Sequence, residues 1–124
     1  MDPIRVAIVD DEAPARAIVA ELLAEHPQFT VVAECANGYE AVKACAEQRP
    51  ELLFLDIQMP KLDGFEVLEL LDYRPKVVFV TAYDEYAVRA FEAHAIDYLV
   101  KPVSEARSER SRSRAWRIAS AKRA

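Results

Sequence analysis

Ile4-Arg5-Val6-Ala7-Ile8-Val9-Asp10-Asp11-Glu12 is a short apolar run that breaks off into three consecutive acids. Ile and Val at most positions mark a strand buried on both faces, the pattern of a parallel sheet. Pro14 then suits a first helical turn, and Ala17, Ile18, Leu22 and Leu23 recur at helical spacing up to a stop before Pro27. The same strand-then-helix unit returns along the chain. Residues 29–33 read as a second strand, and Asn37 with Glu40 as a capping pair for a helix that carries Ala41, Val42, Ala44 and Cys45 and closes at Pro50. Leu52–Leu55 is a third strand ending at Asp56, and the loop 58–64 leads to a helix with Phe65, Val67, Leu68 and Leu71. Residues 77–80 form a fourth strand ending at Thr81, a helix spans about 84–93, and residues 96–99 form a short fifth strand ending near Lys101 and Pro102.

Repeats of this kind with right-handed crossovers give an open α/β sheet. The expectation is a flavodoxin-like, doubly wound (βα)5 fold with a five-stranded parallel sheet in the order 2-1-3-4-5, its last helix left to the tail. The 124 residues suffice for one compact domain. Residues 1–103 hold nine Lys/Arg against nineteen Asp/Glu, whereas 104–124 hold seven against two and contain all five serines. The domain core is therefore set at 1–103. The basic, Ser/Arg-rich 104–124 is either an irregular or frayed final helix, a solvated end, or an arm for nucleic acid.

Counting excludes several functions. With only Gly38 and Gly64, neither a G-x-G-x-x-G fingerprint nor a Walker A loop can be written. No serine precedes Ser104, which removes a G-x-S-x-G elbow. His26, Cys35, Cys45 and His94 lack the paired short spacings of a zinc site, and the two cysteines read as buried free thiols in a reducing cytoplasm. No apolar run approaches the roughly 20 residues that span a bilayer, and Met1-Asp2-Pro3 offers no basic n-region, so a cytoplasmic location without membrane contact is expected.

In such a sheet the binding crevice lies outside the carboxyl ends of the strands. Asp10 and Asp11, Asp56, Thr81 and Lys101 all fall there, drawn from four distant segments. Acids at single strand ends are ordinarily solvated loop residues, and a lone Thr81 is an ordinary strand-ending hydroxyl. Three crowded carboxylates, however, repel one another unless a cation is present, and oxygen ligands that leave room for water and phosphate favour Mg²⁺. Asp56 is then the candidate nucleophile for an aspartyl phosphate, with Lys101 pairing one phosphoryl oxygen and Thr81 donating to another.

Val9-Asp10-Asp11-Glu12, Leu55-Asp56-Ile57-Gln58-Met59-Pro60, Asp63-Gly64, Thr81-Ala82 and Asp97-Tyr98-Leu99-Val100-Lys101-Pro102, in this order and spacing, resemble the receiver domain of two-component response regulators. The stretches 81–86 and 90–102 look most like receivers that precede a LytTR-type DNA-binding domain. The resemblance implies Asp56 as phosphoacceptor and Asp11, Asp56 and the Gln58 backbone carbonyl as Mg²⁺ ligands, with Asp10 acting largely through water. It also implies Thr81 and Tyr98 as a switch pair and a cis bond between Lys101 and Pro102. On Tyr98 the residues alone leave core packing open beside switching.

The function expected is a signalling switch, not a metabolic enzyme, that assists its own phosphoryl transfer and dephosphorylation. It takes its phosphoryl group from a sensor histidine kinase or a phosphotransfer protein. The output would be a homodimer or an effector contact, serving transcriptional control through a DNA-binding domain not encoded in these residues. One alternative is a small Mg²⁺-dependent phosphatase with an Asp nucleophile, which needs a second carboxylate where Gln58 stands. Another is a phosphate-independent interaction module, which has no use for the acidic set.

Overall fold

The computed structural model describes residues 2–101. Five strands, β1 (Ile4–Val9), β2 (Phe29–Cys35), β3 (Leu52–Leu55), β4 (Lys76–Thr81) and β5 (Asp97–Val100), alternate with α1 (Ala13–Ala24), α2 (Gly38–Gln48), α3 (Gly64–Glu69) and α4 (Ala87–Glu92). The strands form one sheet in the order β2-β1-β3-β4-β5, and every pairing is parallel. This is the expected doubly wound architecture; the expected fifth helix and the tail 104–124 lie outside the described residues.

Successive strand residues point to opposite faces, and two cores follow from that alternation. Ala7, Val9, Leu53, Leu55, Val77 and Phe79 face the helices α2, α3 and α4. Val6, Ile8, Leu52, Phe54, Val78 and Val80 face the other way, where Val19 and Leu23 of α1 cover them. Both sides are dry, so the central strands carry no polar alternation and read as continuous apolar runs.

Local chemistry sets the ends. Asn37 caps α2 by accepting from the Glu40 amide at 2.9 Å, while the Glu40 carboxylate reaches back to the Ala36 amide at 3.0 Å. Asp63 and Glu66 close a capping box at the start of α3. Arg49 ends α2 in the left-handed region, φ 45°, with its guanidinium over the Tyr73 ring and 2.8 Å from Asp72.

Several boundaries differ from the sequence reading, β4 among them, which runs Lys76–Thr81 and not 77–80. β2 runs on to Cys35, because a register shift between Val6 and Ala7 lets Val9 pair with Cys35. α3 stops at Glu69, leaving Leu71 beyond the helix: the return to β4 is fixed by Tyr73, whose hydroxyl donates to the Pro50 carbonyl at 2.8 Å. α4 starts at Ala87, because the preceding tyrosines are held by groups from other segments. β5 is Asp97–Val100, one residue further on, with the Ile96 amide already donating to the Val77 carbonyl. In α1, Val19 and Leu23 make the buried stripe and Ile18 is exposed.

Cys35 and Cys45 are free and buried together in the core beneath α2. Burial, reinforced by the neighbouring Cys45, pushes the Cys35 thiol up from 9.0 to about 11, and burial raises Cys45 as well. The thiolate is the reactive form, so a raised value leaves little of it at pH 8. Alkylation by iodoacetamide at that pH is expected to be slow for both thiols in the native protein and fast once denaturant unfolds it. Rapid native labelling would show that this face of the sheet opens.

Candidate functional site

The apolar runs end together at one edge of the sheet, and the polar residues that follow them have nowhere else to go. β1 delivers Asp10, β3 delivers Asp56, β4 ends in Thr81 and β5 leads into Lys101. Asp10, Asp11, Glu12 and Asp56 each present a carboxylate oxygen, and the four oxygens lie within 4.8 Å of one another. Asp11 and Glu12 are exposed, whereas the Asp10 and Asp56 side chains are only 5% and 6% exposed.

The Lys101 ammonium stands among these acids, 2.8 Å from Asp10, 3.0 Å from Glu12 and 3.3 Å from Asp56. Burial alone disfavours its charge, but the hydrogen bonds to Asp10 and Glu12 and the field of Asp56 outweigh that cost and hold its pKa well above the ordinary lysine value. The Asp56 carboxyl is raised by burial, only partly offset by Lys101, and raised again by Asp10. Among the described residues the pocket thus carries more anionic groups than the Lys101 ammonium balances.

Backbone contacts hold the rim. The Asp10 carboxylate accepts from the Glu12 amide at 2.9 Å, and Arg16 of α1 donates to the Asp10 carbonyl at 2.7 Å. The Lys101 amide donates to the Thr81 carbonyl at 2.7 Å, which ties the end of β5 to β4. The Gly64 amide donates to the Ile57 carbonyl at 2.8 Å, and a Cβ on Gly64 would stand 2.5 Å from the Asp56 carbonyl oxygen. Only glycine allows that approach, which is why Asp63-Gly64 opens α3 so close beneath Asp56.

At this edge of the sheet, Asp56 Oδ1 and Thr81 Oγ1 are buried with no hydrogen-bond partner among the described residues. Orphaned buried oxygens cost about 1–3 kcal/mol each and call for a ligand or water. An all-carboxylate donor set is the chemistry of a hard divalent cation, and the free Asp56 oxygen fits one. The hydroxyl of Thr81 fits an anion placed on Asp56.

The structure therefore brings Asp10, Asp11, Asp56 and Lys101 together as the sequence implied, with Thr81 at the adjacent strand end. Gln58 lies on the loop beyond Asp56 and is exposed; its side chain donates to the Tyr86 hydroxyl at 2.6 Å. Tyr98 sits opposite Phe79 in the β4–β5 register, half-buried with its ring on Phe79, and its hydroxyl donates to the Tyr83 carbonyl, two residues past Thr81. Thr81 shares the sheet face of Phe79 by the alternation of the strand. Pro102, and with it the expected cis bond, lies outside the described residues. Glu12 was missed as a site residue, although it stands in the acidic run that ends β1; Tyr86 was missed because nothing near it in sequence marks its contact with Gln58.

Residues 6–110 match the family described as the response regulator receiver domain. The chain is 50% identical over 113 residues to the transcriptional regulatory protein BtsR of Escherichia coli (strain K12), covering 90% of this chain and 47% of that protein. It is likewise 50% identical over 102 residues to a response regulatory protein of Vibrio cholerae, covering 81% of this chain and 43% of that one. The chain spans about half the length of the curated relatives it matches. Among solved structures it resembles the response regulatory domain of protein mrkE from Klebsiella pneumoniae, with 32% identity, a TM-score of 0.84 and coverage of 94% of this chain and 98% of that one. It also matches a chain in the complex of the P1 domain of CheA3 with CheY6 from R. sphaeroides, with 34% identity, a TM-score of 0.79 and coverage of 98% and 99%. Five parallel strands ending in a shared acidic pocket, together with these likenesses, place the chain in the family of response regulator receiver domains.

Proposed function

We propose that this receiver domain takes a phosphoryl group onto Asp56, and that Asp10, Asp11, Asp56 and the Gln58 carbonyl serve a Mg²⁺ ion there. The observation that carries the reading is that Asp56 Oδ1, beside Lys101, and Thr81 Oγ1, at the neighbouring strand end, are buried without a hydrogen-bond partner among the described residues. When bound, Mg²⁺ supplies charge neutralisation, which lets an anionic donor approach an anionic pocket. An Asp56 carboxylate oxygen attacks phosphorus, the phosphorus–nitrogen bond of a partner's phosphohistidine breaks, and its electron pair stays with the imidazole. Lys101 then pairs with one phosphoryl oxygen and the Thr81 hydroxyl donates to another.

Drawing Thr81 toward the phosphoryl group pulls on the segment that follows it. That segment is gripped by Tyr98 through the Tyr83 carbonyl, so the face built by α4 and β5 responds. That face exposes two large apolar side chains: Val88 and Phe91 are 71% and 82% exposed. It suits a homodimer or an effector domain, and because BtsR, about twice the length of this chain, is a transcriptional regulatory protein, the output read here is transcriptional control through DNA bound by that further domain. The CheA3–CheY6 neighbour supports a histidine kinase or phosphotransfer protein as donor. Among the described residues no helix is long and apolar enough to cross a membrane, and the proposed setting is the cytoplasm. Gln58 stands where an acid/base carboxylate would be needed for repeated turnover, which favours one capture per signal over a phosphatase cycle.

Treating wild type and Asp56→Asn with acetyl phosphate, with and without Mg²⁺, and weighing the intact proteins tests the assignment. One phosphoryl mass on wild type in Mg²⁺ and none on the variant is expected; an adduct on both, or on neither, would refute it. Lys101→Ala leaves Asp10, Glu12 and Asp56 without their ammonium. It is expected to lower stability by about 3 kcal/mol in metal-free buffer, and Mg²⁺ should restore more to the variant than it adds to wild type. Equal Mg²⁺ effects in thermal melts would mean that Lys101 does not balance this pocket.

A further inference from the structure

An exposed glutamine ordinarily keeps its rotamer freedom, but Gln58 does not: its Nε2 donates to the Tyr86 hydroxyl at 2.6 Å across 28 residues of sequence. The phenol that holds it is itself fixed. Its ring lies 6.3 Å from Phe65 and, edge-on, 6.3 Å from Tyr83, and the Arg89 guanidinium covers the same Phe65 ring at 4.2 Å. Tyr86 is also the N-cap residue of α4, with its carbonyl accepting from the Ala90 amide at 2.8 Å. One side chain therefore joins the loop that leaves Asp56 to the first turn of the helix carrying Val88 and Phe91.

Gln58 is two residues beyond Asp56, so their Cα atoms are within about 7 Å. Gln58 thus sits on the loop that leaves the carboxyl end of β3, next in line after the site. We propose that Tyr86 is a positioning residue for the phosphoryl chemistry of Asp56: by holding the Gln58 amide in place it limits the approach of water to the aspartyl phosphate and makes the lifetime of that bond depend on the seat of α4. This rests on Asp56 being the phosphoacceptor. In hydrolysis a water oxygen bonds to phosphorus, the bond from phosphorus to the Asp56 oxygen breaks, and the carboxylate is regenerated as the water proton passes to solvent. Loosening Gln58 leaves that in-line approach open. A partner that moves α4 would shorten or lengthen the signal through the same bond, and by linkage the phosphorylated loop would alter the partner's affinity.

The test uses Tyr86→Phe, which keeps the ring contacts with Phe65 and Tyr83 and deletes only the hydroxyl. Gln58→Ala keeps the backbone carbonyl and deletes the amide, and the double variant completes the cycle. Each protein is loaded with acetyl phosphate and Mg²⁺, freed of donor, and followed by intact mass at a temperature well below all the unfolding transitions. Both single variants are expected to lose the phosphoryl group faster than wild type by about twofold or more, with the double variant no faster than Gln58→Ala, as for two side chains that act through one hydrogen bond. A Tyr86→Phe decay rate equal to or slower than that of wild type would overturn the proposal, and so would single effects that multiply in the double variant. A wild type that takes up no phosphoryl group would instead overturn the reading of Asp56 on which this one rests.

Discussion

One ammonium holds the ends of this sheet together. Lys101 enters from β5, reaches past β4 and β3, and meets carboxylates carried by β3 and by the end of β1. At an effective dielectric of about 20, unit charges about 3 Å apart interact by about 5 kcal/mol. The repulsion among buried acids is of the same kind and opposite sign. Without that cation the acids at one edge of the sheet would oppose the packing that the apolar strands favour. With it, the pocket is held together yet still one-sidedly anionic, a condition that favours a divalent cation.

The rest of the fold supports that edge. Apolar side chains on both sheet faces bury the central strands and fix where each ends, so the polar groups are presented by rigid backbone and not by a mobile loop. Gly64 allows the start of α3 to come up against the Asp56 carbonyl, and Arg16 holds the Asp10 backbone from α1. The connection 82–86 between β4 and α4 is held by hydrogen bonds to Tyr98 and Gln58 and by the Tyr86 ring, which packs on the core at Phe65. Hydrogen-bonded tyrosines can exchange partners at small cost, whereas the packed strands beneath them cannot shift without opening cavities.

Strand positions and the acidic pocket were legible in the sequence because two-sided burial writes continuous apolar runs and the residue after each run must fall at the crevice. Val9-Asp10 and Leu55-Asp56 each show both signals within two residues. The capping pair of Asn37 and Glu40 was legible for the same reason: its partners are neighbours in sequence. Helix lengths were not. α3 ends early where Tyr73 reaches the Pro50 carbonyl, and α4 starts late where Tyr98 and Gln58 grip residues 83 and 86. Those partners lie 15 to 28 residues away, and no local pattern records them. Glu12 escaped notice as a partner of Lys101 because it stands two residues past the strand-ending Asp10 and is exposed, where an acid ordinarily faces solvent.

Whether this pocket accepts a divalent cation and a phosphoryl-shaped anion together is measured directly by fluorine NMR of the protein with beryllofluoride. Bound-fluoride resonances are expected when Mg²⁺ is present and should vanish when EDTA removes it. A spectrum with no bound resonance at saturating Mg²⁺, or with bound resonances that persist in EDTA, would contradict such joint binding.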